Sequence, residues 1–190
     1  MKIKVLRVGF LETNCYILSK DGKCIVIDPG DEYERIINAI DGELVAVLVT
    51  HYHFDHIGAL PKVVEDYGVP VIDINNYKDS YSIGGFYFEM IKTPGHKDDL
   101  VSYKFGDKLF CGDFIFEGTI GRCDLPGGDF KVMQDSIRYI INFYEDLVIY
   151  PGHGDATTLK REITNLKSYL WVWMTIVNFF FKFNEIKVNK

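Results

Sequence analysis

The stretch VTHYHFDHIG, residues 49–58, places three histidines and an aspartate within six positions. It begins inside an apolar run rich in β-branched residues, ELVAVLVT at 43–50, which predicts a buried strand. It leads into GALPKVVEDY at 58–67, which has a helical pattern. The histidines are therefore predicted to occupy a loop between a strand and a helix, where folds with a rigid sheet often present functional side chains.

The polar side chains of this loop divide into two pairs. His51 and His53 lie two residues apart on near-extended backbone, so they point to the same side of the chain. Asp55 and His56 follow the bend and can reach a neighbouring point. The loop alone is only moderately informative, because a lone histidine after a strand is usually an ordinary surface or core residue.

The remaining two histidines and a further aspartate also follow predicted strands. His96 comes after FYFEMIKT and a Pro-Gly turn, and His153 comes after LVIYPG. Asp113 comes after KLFCG. Side chains from four loops are thus predicted to meet at one rim. Imidazole nitrogen and carboxylate oxygen suit zinc, iron or manganese, and this many ligands suits two ions if one carboxylate bridges them.

Short apolar or alternating runs recur along the chain and predict many strands and few helices. The predicted strands are 2–7, 14–18, 24–27, 44–50, 69–72, 86–92, 100–105, 108–112 and 147–150, and the predicted helices are 32–41, 58–67 and 130–143. This proportion predicts sheets covered by helices rather than a simple α/β alternation.

The composition predicts one globular domain with a single sizeable core. A net charge of −6 argues against a nucleic-acid partner. The opening MKIKVLRVGF alternates like a strand and has no feature of a signal peptide. The four cysteines lie far apart without a C-x-x-C pair, so we interpret them as reduced thiols in a cytoplasmic protein.

The C-terminal segment is strongly apolar. YLWVWMTIVNFFFKF, residues 169–183, has 12 apolar residues of 15, and a helix that is apolar nearly all round must be buried. The segment is shorter than the ~20 residues of a transmembrane helix, so no span is predicted. We expect 169–190 to be an extension that packs on the body or joins subunits of a homo-oligomer. A disordered tail and contact with a membrane surface are the alternatives.

The motifs together resemble those of a known family. THYHFDH resembles the His-x-His-x-Asp-His signature of the metallo-β-lactamase superfamily, and TPGH, FCGDFIF and YPGHG resemble its later metal-binding motifs in the same order. IGRCDLPGGD at 120–129 and NCYIL at 14–18 narrow the resemblance to short, single-domain glyoxalase II-like proteins, or hydroxyacylglutathione hydrolases. The resemblance covers residues 1–168. It implies an α+β fold, a four-layer αββα sandwich of two mixed β-sheets flanked by helices, as one catalytic domain.

The resemblance implies a role for each of the clustered side chains. His51, His53 and His96 are expected to bind a first metal ion, Asp55, His56 and His153 a second, and Asp113 is expected to bridge them. The two divalent ions are expected to be zinc, with iron or manganese as alternatives.

Two further residues match positions near the site in the family. Asp28 in IDPGD is expected to orient a ligand histidine, with an ordinary turn residue as the alternative. Arg122 is expected to bind a carboxylate of the substrate. The alternative is that Arg122 pairs with Asp124 or Asp129 and braces its own loop.

The function implied is hydrolysis of a thioester, most simply an S-acyl (hydroxyacyl) glutathione. A hydroxide bridging the two ions would attack the carbonyl, with Asp55 and Asp113 taking part in catalysis. Metal binding lowers the pKa of water from ~15.7 to ~7. A thiol of pKa ~8.5 leaves without a strong general acid. The two ions carry more charge than the two aspartates, so a small anionic substrate is expected.

Other functions fit part of the pattern. A persulfide dioxygenase with a single iron shares the His-x-His-x-Asp-His signature, whereas YPGHG favours the two-metal hydrolase. A lactonase or β-lactamase on the same scaffold is disfavoured by GRCDLPGGD, and a non-catalytic binding module is disfavoured by the complete ligand set. TPGHKDD departs from the commoner TPGHTPG or TPGHTDG, and the chain lacks the C-terminal helical domain of longer glyoxalase II enzymes, so glutathione is the less specific part of this hypothesis.

Overall fold

The computed structural model describes residues 1–144 and 146–170. The strands in this part of the chain are β1 Lys2–Val8, β2 Thr13–Lys20, β3 Lys23–Ile27, β4 Glu43–Leu48, β5 Val71–Ile72, β6 Ser80–Ile83, β7 Phe86–Lys92, β8 Val101–Phe105, β9 Lys108–Gly112, β10 Ile115–Phe116, β11 Thr119–Ile120, β12 Val148–Pro151 and β13 Thr157–Thr158. The helices are α1 Tyr33–Ile37, α2 Phe54–Ile57, α3 Leu60–Tyr67, α4 Phe130–Phe143 and α5, which covers residues 159–170 as far as the chain is described. A short 3₁₀ helix spans Ile74–Asn76.

Two mixed sheets organise these strands. The first has the order β1-β2-β3-β4-β5, antiparallel from β1 to β3 and parallel from β3 to β5. The second has the order β13-β12-β9-β8-β7-β6, in which β12 and β9 are parallel and the other neighbours antiparallel. Strands β10 and β11 form a separate two-stranded ribbon.

The main core lies between the sheets, because alternate residues of a strand point to opposite faces. The first sheet contributes small and branched side chains and the second contributes mostly aromatic ones, as in Leu18, Ile25, Ile27, Leu48, Phe88, Tyr103 and Phe110. The buried Tyr103 hydroxyl donates to the carbonyls of Val49 and Ile72, both at 2.7 Å. These bonds satisfy the polar atom of Tyr103 and also tie the two sheets together.

The outer face of each sheet is covered by helices. Ile36 of α1 and Val63 of α3 pack on the first sheet, in a cluster with its remaining alternate residues. Met133 and Ile137 of α4 and Leu166 of α5 pack in the same way on the second sheet. The layers therefore run helix, sheet, sheet, helix, and the predicted α+β four-layer αββα sandwich of two mixed sheets is confirmed.

The helices differ from the prediction in three places. Asp55 and His56, predicted to lie in a loop, are on the short helix α2. Helix α1 is shorter than the predicted 32–41, because the amides of Ala39 and Ile40 bond to carbonyls three residues back and tighten the chain into turns. Helix α5 was not predicted, since its side towards the core rests on a few widely spaced residues such as Leu159 and Leu166. Such a helix depends on tertiary packing more than on its own apolar pattern.

Helix α5 runs past the predicted boundary at residue 168. The Tyr169 carbonyl accepts a hydrogen bond of 2.6 Å from Gln134 Nε2, and the Tyr169 ring lies against Phe130. The predicted apolar segment otherwise lies outside the described residues, so its packing and any role in a homo-oligomer stay predictions. Among the helices that the structure describes, none is long and apolar enough to cross a membrane.

Candidate metal centre

The structure brings all seven predicted ligands to one rim of the sandwich. The segments that carry them follow the carboxyl ends of β4, β7, β9 and β12, and Asp55 and His56 lie on the short helix α2 after β4. The side chains form two groups: the His51 group, which consists of His51, His53, His96 and Asp113, and the His56 group, which consists of Asp55, His56 and His153. In each group the potential ligand atoms all lie within 4.8 Å of one another, as a metal site requires.

The His51 group is compact and mostly buried. His53 Nδ1 lies 3.0 Å from His51 Nε2 and 2.9 Å from His96 Nε2. His96 Nε2 is also 3.4 Å from Asp113 Oδ2. Three imidazoles and a carboxylate thus direct lone pairs at one small volume.

The His56 group lies beside the first and shares its carboxylate. Asp55 Oδ2 is 3.3 Å from His153 Nε2 and 3.5 Å from His56 Nε2. Asp113 approaches this group as well, with Oδ1 at 3.4 Å from His56 Nε2 and Oδ2 at 3.6 Å from His153 Nε2. Asp113 therefore stands between the two groups, which is the position that a bridging ligand would need.

Backbone carbonyls orient two of the histidines. His96 Nδ1 bonds to the Arg122 carbonyl at 2.7 Å, and His153 Nδ1 bonds to the Leu11 carbonyl at 3.0 Å. A carbonyl oxygen can only accept, so each Nδ1 carries the hydrogen. Each Nε2 is left with its lone pair directed at the centre, which is the tautomer that a metal ligand needs.

Asp28 links the two groups from behind. Its Oδ2 accepts from His56 Nδ1 at 2.9 Å and from Thr50 Oγ1 at 2.7 Å, and its Oδ1 accepts from Thr50 N at 2.8 Å. Thr50 Oγ1 lies 3.1 Å from His51 Nδ1 and accepts its hydrogen. Asp28 thus contacts one ligand directly and another through Thr50, in a backbone conformation of φ 50° that non-glycine residues rarely adopt.

The pKa values report a negative environment around His56. Complete burial by itself would lower the pKa of His56, but the carboxylates of Asp28 and Asp113 raise it to about 10. In contrast, burial and the neighbouring imidazoles hold the pKa of His51 well below its usual value. Burial would raise the pKa of Asp113, yet His56 and the other nearby histidines lower it, so this carboxylate is ionised at neutral pH.

The residues fit divalent cations. His56 Nε2 and Asp113 Oδ1 are buried and have no hydrogen-bond partner among the described residues. Such orphaned atoms cost roughly 1–3 kcal/mol each. A cation at this point would be bound by both lone pairs and would meet the negative surroundings of His56. The nitrogen and oxygen donors, without a thiolate, suit zinc, iron or manganese.

Two residues that the sequence analysis did not single out also hold the ligands. Thr50 connects Asp28 to His51, and Thr13 Oγ1 donates to Asp55 Oδ2 at 2.8 Å. Thr50 immediately precedes the first histidine, but its sequence position does not reveal that Asp28 lies behind it. Thr13 is 42 residues from Asp55 in the chain, so only the fold brings the two together.

The predicted substrate residue Arg122 pairs with its own loop in this structure. Its Nε and Nη2 donate to the two carboxylate oxygens of Asp124, each at 2.7 Å, and both side chains are exposed. This is the contact expected from a loop brace. In the unusual TPGHKDD segment, Lys97 pairs with Asp99, which also accepts from the Tyr52 amide at 3.4 Å.

Gly152 allows the two groups to approach each other. A Cβ at this position would lie 2.2 Å from Asp113 Oδ1 and 2.7 Å from His56 Cε1. We therefore expect Gly152→Ala to displace ligands, to lower bound metal per chain and to lower the free energy of unfolding by about 1–3 kcal/mol. Elemental analysis and denaturant unfolding measure these effects.

Gly118→Ala is the matched control for this prediction. Gly118 has φ +75° and open space around its Cα, so alanine there introduces backbone strain without a clash. It should lower the free energy of unfolding and leave bound metal unchanged. Equal metal content in the Gly152→Ala protein and the parent would contradict the steric argument.

Comparison with known proteins agrees with this geometry. The model of the metallo-beta-lactamase superfamily matches residues 8–81 and 78–153. Hydroxyacylglutathione hydrolase GloC of Haemophilus influenzae is 32% identical over 201 residues, which cover 85% of this chain and 95% of that protein. The probable metallo-hydrolase YqgX of Bacillus subtilis is 33% identical, with 85% of this chain and 94% of that protein covered.

Solved structures give the same result. The BLEG-1 B3 metallo-beta-lactamase superposes with a TM-score of 0.80 at 31% identity, over 86% of this chain and 97% of that one. ETHE1 from Myxococcus xanthus has a TM-score of 0.79 at 27% identity, over 85% of this chain and 81% of that one. TTHA1623 in a di-iron-bound form has a TM-score of 0.74 at 28% identity, over 84% of this chain and 96% of that one.

The chain belongs to the metallo-β-lactamase superfamily. With its cluster of histidines and aspartates, it is a metallo-hydrolase of that superfamily. Its relatives include a hydroxyacylglutathione hydrolase and metallo-hydrolases of similar short length, as the sequence motifs predicted.

Proposed function

We propose that this protein hydrolyses thioesters of the S-hydroxyacylglutathione type with two divalent metal ions. The observation that carries the proposal is the second group: His153 reaches Asp55 and Asp113 and completes a set of ligands beside the His51 group. The similarity to hydroxyacylglutathione hydrolase GloC, which extends over nearly the whole of that protein, supports the choice of substrate.

The proposed ligands follow the two groups. His51, His53 and His96 would hold one ion, Asp55, His56 and His153 would hold the other, and Asp113 would contact both. Zinc is our first choice, with iron or manganese as alternatives, because borderline ions of this kind accept mixed imidazole and carboxylate ligands. The chemistry supplied by such bound ions is Lewis-acid catalysis, which polarises a carbonyl and lowers the pKa of water to ~7.

Asp55 and Asp113 are the groups that we assign to catalysis. Burial would raise the pKa of Asp55, but its bond to His153, the nearby His56 and the Thr13 hydroxyl lower it, so Asp55 is ionised at neutral pH. An ionised carboxylate at the centre can accept a hydrogen bond from the attacking water and orient it. Thr13 bonds to the oxygen that faces the histidines and so limits the rotation of that carboxylate.

Asp28 is assigned to positioning. Its bonds to His56 Nδ1 and to Thr50 hold ligands from both groups in the tautomer that directs Nε2 to the centre. Arg122 is assigned to the substrate carboxylate on the condition that it exchanges its partner Asp124 for the substrate. Because that ion pair is exposed, solvent screens it and its loss costs little, which a substrate contact can offset.

The leaving thiol explains why the described site manages without a residue assigned as general acid. A thiol of pKa ~8.5 departs as a thiolate near neutral pH, whereas an alcohol or amine requires protonation. The chemistry of the site therefore matches a thioester better than an amide. A β-lactam is the second candidate substrate, on the similarity to the BLEG-1 metallo-beta-lactamase.

One comparison of substrates tests the proposal. Purified protein is assayed for hydrolysis of S-lactoylglutathione, for hydrolysis of a chromogenic β-lactam and for oxygen uptake on glutathione persulfide, with metal per chain measured on the same sample. We expect thioester hydrolysis with about two metal ions per chain. Oxygen uptake with one iron and no thioester hydrolysis would instead identify a persulfide dioxygenase.

We also propose a cytoplasmic location and a small-molecule substrate rather than a macromolecular one. All four cysteines lie in the described part of the chain as free thiols, as expected for a reducing compartment. Assembly into a homo-oligomer through residues 169–190 remains part of the proposal, and deletion after Ser168 with measurement of molecular mass in solution tests it.

A further inference from the structure

The PGHG loop, residues 151–154, is bonded to the opposite sheet. It follows β12 of the second sheet, but its carbonyls accept from Asn14 on β2 of the first. Asn14 N donates to Gly152 O at 2.7 Å, and Asn14 Nδ2 donates to Pro151 O at 3.0 Å and to Gly154 O at 2.9 Å. One residue therefore binds three of the four carbonyls of this loop.

Tyr16 adds a further bond from the same strand. Its hydroxyl donates to Pro151 O at 2.6 Å, and its ring packs edge-on against Phe110 and Tyr150. Asn14 is 1% exposed and Tyr16 is 4% exposed, so the two side-chain bonds to Pro151 O are shielded from water, and the bond to the exposed Gly154 is partly buried. Shielded hydrogen bonds are stronger electrostatically, and leaving their partners unsatisfied is costly.

The bonded loop lies directly against the metal groups. Gly152 N donates to Gly112 O at 2.8 Å, next to Asp113 in the chain. The His153 side chain is 28% exposed, and the hydrogen bond that it makes outside the groups is the one to Leu11 O. Phe116 also lies edge-on against the His153 ring, so the position of His153 depends on how its backbone is held as well as on this ring contact.

We infer that Asn14 and Tyr16 form a latch that positions His153 for metal binding in the His56 group. This inference rests on the proposed role of His153 as a ligand. The latch joins the two sheets at the point where the His56 group needs residues from both sides, with Asp55 and His56 on α2, which follows β4 of the first sheet, and His153 after β12 of the second. The His51 group takes none of its ligands from the PGHG loop, so it should respond much less.

Zinc binding by the full chain tests the latch without reference to catalysis. Protein freed of metal with a chelator is titrated with Zn²⁺ against a competing chelator, and the two dissociation constants are compared. We assign the weaker, second constant to the His56 group, because it has three potential ligands and the His51 group has four. Asn14→Ala should raise this second constant by about 10- to 100-fold, the range measured for residues that orient metal ligands. The first constant should change by less than about threefold. Tyr16→Phe should show the same selectivity with a smaller effect, because it removes one bond of the four.

Two further variants separate positioning from stability. Tyr103→Phe, like Tyr16→Phe, removes a buried hydroxyl that bonds one sheet to the other. The partners of Tyr103 are the carbonyls of Val49 and Ile72, which lie outside the PGHG loop. It should lower the free energy of unfolding and leave the second zinc constant unchanged. Asn14→Asp keeps the shape of Asn14 but turns an acceptor towards Pro151 O and Gly154 O, so it should weaken the second zinc at least as much as alanine does.

Several results would overturn the latch. If Tyr16→Phe and Tyr103→Phe raise the second zinc dissociation constant equally, the weaker binding reflects lower general stability and not the latch. The same comparison of the two tyrosine variants tests the latch if the Asn14→Ala protein does not fold. Equal weakening of both zinc constants by Asn14→Ala would likewise contradict selective positioning. A parent protein that binds one zinc would overturn the two-metal function and the latch with it, whereas two zinc ions in the parent and an unchanged Asn14→Ala protein would overturn the latch alone.

Discussion

Asp113→Asn is expected to lower kcat/KM for thioester hydrolysis by more than about 100-fold, because it changes a ligand itself, and even residues that only orient ligands are worth about 10- to 100-fold. The Asp113 carboxylate is the one side chain within 3.6 Å of imidazole nitrogens in both groups that the structure describes. Asparagine keeps the shape but removes the charge and replaces one oxygen by an NH₂ group that cannot bind a cation. Metal per chain should fall as well.

The measurements are steady-state kinetics with S-lactoylglutathione and elemental analysis of the same preparation. Asp129→Asn is the matched control. Asp129 caps helix α4 by accepting from the amides of Lys131 and Val132, and an asparagine oxygen caps equally well. This control should keep both metal and activity. An Asp113→Asn protein with the parent's metal content and rate would show that the carboxylate does not bridge the two groups.

His153→Ala should lose one of two metal ions and most of the hydrolysis while the protein stays folded. The alanine removes one of the three potential ligands of the His56 group and leaves the four potential ligands of the His51 group in place. The cost in stability should be small, because the ring is partly exposed and the bond to Leu11 O is worth about 0.5–1.5 kcal/mol.

Elemental analysis, kinetics and thermal unfolding of the His153→Ala protein test this expectation together. His96→Ala provides the comparison, since its loss should affect the ion at the His51 group instead. If the His153→Ala protein kept the full rate of thioester hydrolysis, the two-metal mechanism would be wrong. If it retained about two metal ions but lost activity, His153 would act on the substrate and not as a ligand.

The sequence was sufficient to predict the class of fold and the residues that come together in the two groups. The β-rich run before His51, the Pro-Gly turns before His96 and His153, and the order of the motifs identified the superfamily and all the residues that the structure assembles into two groups. These features are local. A strand that is followed by a potential ligand can be recognised from about ten consecutive residues, without knowledge of the parts of the chain that pack against it.

Other features could not be predicted from the pattern of residues. Helix α1 proved shorter than its pattern because Ala39 and Ile40 bond to carbonyls three residues back, and α5 formed where the pattern was weak because it packs on a sheet. Arg122 was predicted to bind substrate with pairing to its own loop as the alternative, and the structure shows the pairing with Asp124. The sequence is compatible with both partners of Arg122, a substrate carboxylate and Asp124, and does not show which of them the side chain contacts.

By itself, the sequence determined which residue types meet at the rim and which chemistry they can support, because strand ends and ligand spacing depend on residues that are close together in the chain. The family resemblance already implied their division into two groups with Asp113 between them, and only the tertiary structure decided how they are held. It put Asn14 and Tyr16 of one sheet against the PGHG loop of the other, across 137 and 135 residues of chain to Pro151. The physical reason is that these are contacts between two packed sheets. Their geometry follows from the whole core and from no single stretch of the chain.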